Sequence, residues 1–108
     1  MFKEFKWKNR LLIYAYDNYN KKEFCEIEAF FVKNIEAINQ RKLLLIKLNI
    51  NNINNINNIK TGLVLIGLDG TEKFHSSNND LLDNLFNIID SMPMRITEIN
   101  KNKKNAII

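Results

Sequence analysis

The stretch Thr61–Phe74, read TGLVLIGLDGTEKF, constrains this chain more than any other. Gly62 to Gly67 is a continuous apolar run of strand length, as expected of a strand buried on both faces. Asp69-Gly70 behind it is a strong short-range hairpin signal. A two-residue type I′ turn requires positive φ at both central positions, which Gly adopts freely and Asp more readily than most residues. The expectation is a tight hairpin with Leu68 facing Thr71 and a second strand over Thr71–His75, where polar and apolar residues alternate. A hairpin of this kind belongs in the middle of a sheet.

Two further segments supply that sheet. Arg10-Leu11-Leu12-Ile13-Tyr14-Ala15-Tyr16 is nearly continuously apolar and reads as a central strand. Lys42 to Ile50, KLLLIKLNI, reads as a second buried strand. Between them Asp17-Asn18-Tyr19-Asn20 breaks the first strand, and Asn20 with Glu23 three residues on forms a capping-box pattern. A long helix is expected from there to about Arg41, with Phe24, Ile27, Phe31, Ile35 and Ile38 on its core stripe. A helix joining two neighbouring strands makes them parallel.

Between Ile50 and Ile59 the chain repeats Ile-Asn-Asn, an irregular linker by composition that could also place its isoleucines on one face of a short helix. After the hairpin, Leu82, Leu85, Phe86 and Ile89 recur with helical spacing, and the only proline, Pro93, ends that helix near Ser91. Residues 96–108, with Lys101, Lys103 and Lys104, read as a fraying basic tail, and residues 1–9 as an N-terminal arm. In the arm Phe2, Phe5 and Trp7 interleave with lysines, which fits aromatics pinned over the core edge, or base stacking over a basic surface.

Residues 1–108 are thus expected to form a single domain, since a chain this long buries roughly two thirds of its unfolded surface. The formal charge of +4 comes from scattered lysines and arginines, so nucleic acid is not the expected partner. One cysteine cannot form an internal disulfide. The apolar run after the arm is too short for a signal or membrane segment, which as written implies a cytoplasmic protein without a transmembrane segment. His75, the sole histidine, is expected to cap the hairpin's exit. No cofactor or metal site is expected, because histidine, cysteine and carboxylates do not cluster and no Gly-rich phosphate loop is present.

The order strand, helix, strand, linker, strand, turn, strand, helix is the minimal thioredoxin-like plan, an α/β fold with a four-stranded mixed sheet built from a β-α-β and a β-β-α unit. Three groups of residues carry a more specific resemblance. They are Trp7-Lys8-Asn9-Arg10-Leu11-Leu12; Leu65-Ile66-Gly67-Leu68-Asp69-Gly70 with Glu72-Lys73; and Leu85-Phe86 with Ile89-Asp90-Ser91-Met92-Pro93-Met94-Arg95. Together they resemble the DUDES family, peroxiredoxin-like domains of unknown function in bacteria that recur in animal sushi-repeat-containing extracellular proteins. The resemblance implies a thioredoxin-superfamily fold, and many members of the family are exported.

Thiol chemistry in that superfamily uses a cysteine where the first strand meets the first helix, because the helix N-terminus stabilises the thiolate. Here that loop is Tyr16-Asp17-Asn18-Tyr19-Asn20, and Cys25 lies more than a turn inside the helix, expected as a packed or half-buried thiol. The sequence therefore favours a non-catalytic binding or structural module acting on an unidentified protein partner. The alternative is a single-cysteine oxidoreductase using Cys25 with an external thiol partner; a nucleic-acid binder using the basic aromatic arm is a further one. Arg95, held after a fixed proline, and Asp17, in the strand–helix loop, are the candidate binding residues.

Overall fold

The computed structural model describes residues 3–50 and 61–107, with side chains described through residue 100. The Ile-Asn-Asn segment of residues 51–60 and Phe2 lie outside the described residues. The elements are β1 (Arg10–Tyr16), α1 (Lys21–Lys33), α2 (Ile35–Gln40), β2 (Leu43–Asn49), β3 (Gly62–Ile66), β4 (Glu72–Ser76), α3 (Leu81–Asp90) and α4 (Pro93–Ile107). The strands form one sheet in the order β2-β1-β3-β4. β1 runs parallel to β2 and antiparallel to β3, and β3 runs antiparallel to β4.

The continuous apolar character of β1 has a direct cause in this order. As a central strand it is covered on both faces, and alternate residues feed two different clusters. Leu12 and Tyr14 join Leu63 and Leu65 beneath Ile27 of α1, Ile38 of α2 and Leu81, Leu85 and Ile89 of α3. Leu11, Ile13 and Ala15 join Val64 on the opposite face, with Phe5, Ile46, Leu48, Ile50 and Ile66 packed against them. β2, expected as a buried strand, is instead a sheet edge, and Leu44 stands 38% exposed. Its apolar run resembles that of β1, but only a neighbour on each side makes a strand central.

The expected single helix to Arg41 is interrupted at Asn34. The Asn34 side-chain Nδ2 and its backbone N–H both donate to Phe30 O, at 2.9 and 3.1 Å, and its backbone leaves helical values at φ −115°. Local amide bonding of this type competes with the helical ladder. The break resets the phase of the apolar stripe: Ile27 and Ile38 are buried, whereas Ile35 is half exposed. At the other end of α1, Asn20 caps as expected, its Oδ1 accepting from Glu23 N at 3.1 Å. Glu23 does not complete the capping box; its Oε2 accepts instead from the hydroxyl of buried Tyr14 at 3.2 Å.

The hairpin also differs from expectation. Gly67 N donates to Thr71 O and Gly70 N to Gly67 O, both at 3.0 Å, so Gly67 rather than Leu68 faces Thr71. Gly70 alone takes positive φ, at +81°, and Asp69 does not, which excludes type I′. The connection is the three-residue form, with the last loop residue left-handed, and it is followed by a register irregularity at Leu65 and Ile66. Asp69 chooses this form by accepting from Thr71 N at 3.0 Å and Thr71 Oγ1 at 2.7 Å.

Pro93 ends α3 and begins α4, where its fixed φ and missing N–H suit the first helical position. The segment expected to fray from residue 96 thus runs on as helix through Ile107. The arm forms a 3₁₀ turn over Lys3–Phe5, from which Phe5 packs on the sheet. Trp7 does not pin the arm by burial, being 60% exposed; its backbone N–H does so by donating to Leu68 O.

Candidate functional site

A cavity of about 210 Å³ lies between the hairpin turn and the α3–α4 corner, lined by Arg10, Gly67, Leu68, Asp69, Lys73, Met92, Pro93 and Met94. It draws on all three segments that carried the sequence resemblance: the start of β1, the turn, and the Met-Pro-Met corner. Each is placed there by a local cause. Arg10 opens β1 and is fixed by its backbone N–H donating to Lys42 O at 2.8 Å. The turn is shaped by Asp69 and Gly70, and the corner by Pro93 starting a new helix axis directly after α3.

Arg10 is 1% exposed, which for a guanidinium requires partners. Its Nη1 donates to Arg41 O at 2.8 Å and its Nη2 to Glu98 Oε1 at 3.2 Å. Its Nε–H has no acceptor among the described residues. Behind Arg10 runs a chain of alternating charges. Glu98 Oε2 accepts from Arg95 Nη1 at 3.2 Å, and Arg95 Nε donates to Asp90 Oδ1 at 3.0 Å. Asp90 in turn takes both Nε and Nη2 of Arg41, at 3.1 and 2.8 Å, while the Arg41 guanidinium stacks 4.4 Å over Phe86. Arg95 Nη1 and Arg41 Nη1 also donate to Gln40 O and Ala37 O, the unsatisfied carbonyls near the end of α2.

Partial burial pushes the Asp90 carboxyl up, but hydrogen bonds from Arg41 and Arg95 outweigh it and hold its pKa below the usual carboxylate range. Asp69, at the cavity rim, is held well below that range by Lys73, whose Nζ stands 2.8 Å from Oδ2, and by the two bonds from Thr71. Counted together, four cations meet three carboxylates: Arg10, Arg41, Arg95 and Lys73 against Asp69, Asp90 and Glu98. The region retains an excess positive charge.

Of the residues singled out from sequence, Arg95 lies in this network, 6% exposed, and docks α4 onto α2 and α3. Asp17 lies just past the opposite end of β1, about 20 Å from Arg10 by strand rise, and Cys25 follows Phe24, whose ring centroid lies 5.5 Å from that of Tyr14 near the same end. Asp17 is exposed, and its Oδ1 accepts from Asn18 N at 2.7 Å. Cys25, expected to be packed or half-buried, is exposed on α1, because the helix turns Phe24 and Ile27 inward and Cys25 away. At that end Tyr16, Tyr19 and Phe24 surround Lys47, whose Nζ sits 3.8 Å from the Tyr19 ring centroid. Burial raises the Tyr14 pKa nearby, despite an opposing backbone bond, and the Glu23 carboxylate adds to the rise. His75 Nε2 lies 2.9 Å from Thr61 O at the open end of the hairpin.

Sequence reasoning passed over Arg10, Arg41, Asp90 and Glu98 as site residues. The one usable signal was Arg10 itself, a cation opening a strand otherwise apolar to its end. Among the described residues no three His, Cys, Asp or Glu side chains converge as metal ligands, and no helix is long and apolar enough to cross a membrane. Comparison with curated proteins and with solved structures returns no match. A family described as a domain of unknown function (DUF4174) matches residues 49–98, a span that holds every residue lining the cavity except Arg10.

Proposed function

We propose that the chain is a non-catalytic binding module of thioredoxin-like fold, related to the DUDES family, and that it receives its ligand in the cavity between the hairpin turn and the α3–α4 corner. The carrying observation is the convergence of three sequence-distant segments on one cavity that the buried Arg10 helps to line. The sheet order β2-β1-β3-β4, with the helices α1 and α2 joining the parallel pair, supports the fold assignment. The position of Cys25 supports the absence of thiol catalysis: it sits on the second turn of α1, where the helix dipole no longer favours a thiolate.

A single-cysteine oxidoreductase is the competing reading, favoured by the exposure of the thiol. In it a peroxide oxidises the Cys25 thiol to the sulfenic acid with release of water or alcohol. Two external thiols then return it to the thiol as they form a disulfide and water. Hydrogen peroxide consumption with dithiothreitol as reductant separates the two readings. The binding-module reading expects equal rates for wild type and Cys25→Ser at equal concentration; a faster, Cys25-dependent rate overturns it.

A further inference from the structure

The two edges of the sheet are built differently. β4 is the shorter strand, carries Glu72, Lys73 and His75, and pairs with β3 through a register irregularity at Leu65 and Ile66. Charge, shortness and irregularity are what keep a sheet edge from pairing with another chain. β2 lacks these devices. It spans Leu43–Asn49 in unbroken register with β1, holds neither glycine nor proline, and has Lys47 as its one charged residue.

The direction of its main-chain groups follows from the first contact with β1. Arg10 N–H donates to Lys42 O at 2.8 Å, and main-chain groups alternate sides along a strand. Leu44, Ile46 and Leu48 therefore bond to β1, while Leu43, Leu45 and Lys47 turn N–H and C=O to the outer edge. Side chains alternate as well. Leu43 and Leu45 pack toward the helices, and Leu44, Ile46 and Leu48 point to the other face, where Ile46 and Leu48 are only partly buried and Leu44 is exposed. On the helix side α2 packs against β2, and its Ile35 is half exposed. Apolar surface is thus left uncovered on both sides of an unprotected edge.

We propose that β2 is where two copies of this chain join, its outer edge pairing antiparallel with the β2 edge of a second copy about a two-fold axis through Ile46, so that the two sheets become one. The strand is complementary to itself in this arrangement. A two-fold axis perpendicular to the sheet keeps like faces together, and placing it at Ile46, the middle residue of β2, gives full overlap. Leu45 then exchanges both main-chain hydrogen bonds with Lys47 of the second copy, and Lys47 does the same with Leu45. Leu44 faces Leu48 and Ile46 faces its own counterpart in the closer, non-hydrogen-bonded pairs, where apolar side chains meet. Lys47 lies opposite a leucine; an axis at Lys47 would instead oppose like charges and leave part of each strand unpaired. No residue of β2 lines the cavity, so this inference stands apart from the binding-module reading.

The test is sedimentation equilibrium of the full chain across micromolar concentrations, with dithiothreitol present so that the exposed Cys25 does not cross-link copies. A reversible monomer–dimer equilibrium is expected. Leu44→Lys is expected to weaken it at least about tenfold, because it sets a charge against Leu48 of the other copy. Leu44 is exposed, so this variant keeps its fold, which far-ultraviolet circular dichroism checks. Register is read from single cysteines placed in a Cys25→Ser background and oxidised by dissolved oxygen. Ile46→Cys puts two thiols on the axis with Cα atoms about 4.5 Å apart, within disulfide reach, whereas Leu44→Cys separates them by about 14 Å or more. Covalent dimer is expected to form at least about tenfold faster from Ile46→Cys than from Leu44→Cys. A monomer at every concentration, a Leu44→Lys variant that dimerises as tightly as wild type, or cross-linking no faster at position 46 than at position 44 overturns the proposal.

Discussion

Asp90 shows how a single residue makes this fold depend on pH. It is one carboxylate between two largely buried guanidinium groups, and its folded pKa lies below its unfolded value. For a depressed carboxylate, the linked stability is fully present above the unfolded value of about 3.9 and is lost as pH falls through the folded one. Urea denaturation of Asp90→Asn at neutral pH is expected to show a loss of about 2 kcal/mol, from the charged partners left unpaired. Below pH 4 the gap between variant and wild type is expected to narrow, because the wild-type carboxylate is then being protonated as well. A gap that stays constant from neutral pH to the acid limit counts against this role. None of this was legible in the tetrapeptide Met92–Arg95. Sequence drew attention to Arg95 through its neighbouring proline, but the residues it bonds to are Asp90, Gln40 and Glu98.

At the scale of the element, the hairpin is where backbone chemistry decides most. Gly62 and Gly70 both take positive φ, but for different reasons. A Cβ on Gly62 would lie 2.1 Å from the backbone oxygen of Ser76 on β4, so substitution forces the two strands apart. A Cβ on Gly70 would meet only the Lys6 side chain at 3.5 Å, leaving the left-handed φ as the sole cost. Gly62→Ala is therefore expected to cost about 3 kcal/mol or more, against about 1–2 kcal/mol for Gly70→Ala. Equal midpoints for the two variants in urea would refute the argument. The strands themselves were readable, since the apolar run of β3 and the Asp-Gly signal both fall where the hairpin forms. The turn type was not, because the choice between two- and three-residue closure depends on the Asp69 bonds to Thr71 and on the register irregularity at Leu65 and Ile66.

For the molecule as a whole, among the described residues the charge chain does what the apolar clusters do not: it ties the C-terminal helix to the first strand. Glu98 of α4 holds Arg10 at the start of β1 and Arg95 on its own helix. Glu98→Ala is expected to lower global stability by about 2 kcal/mol. In native-state hydrogen exchange, amides of α4 are expected to lose protection first, before those of β1 and β3. Uniform loss across the sheet would show that Glu98 does not act as this tie. The sheet is expected to stay protected because Leu11 through Ala15 are covered on both faces by residues that Glu98 does not touch.

What the sequence determined alone is the set of elements and the strand that lies at their centre: continuous apolar runs can be buried only between layers, and Asn20 and Pro93 mark helix boundaries through bonds they make or cannot make locally. What tertiary structure decided is which strand is an edge and that Arg10 shares a region with Arg95 and Asp90. The second outcome depends on groups brought together from 31 to 88 positions apart in the chain. A buried charge draws its partners from wherever the fold supplies them, and local spacing carries no record of that.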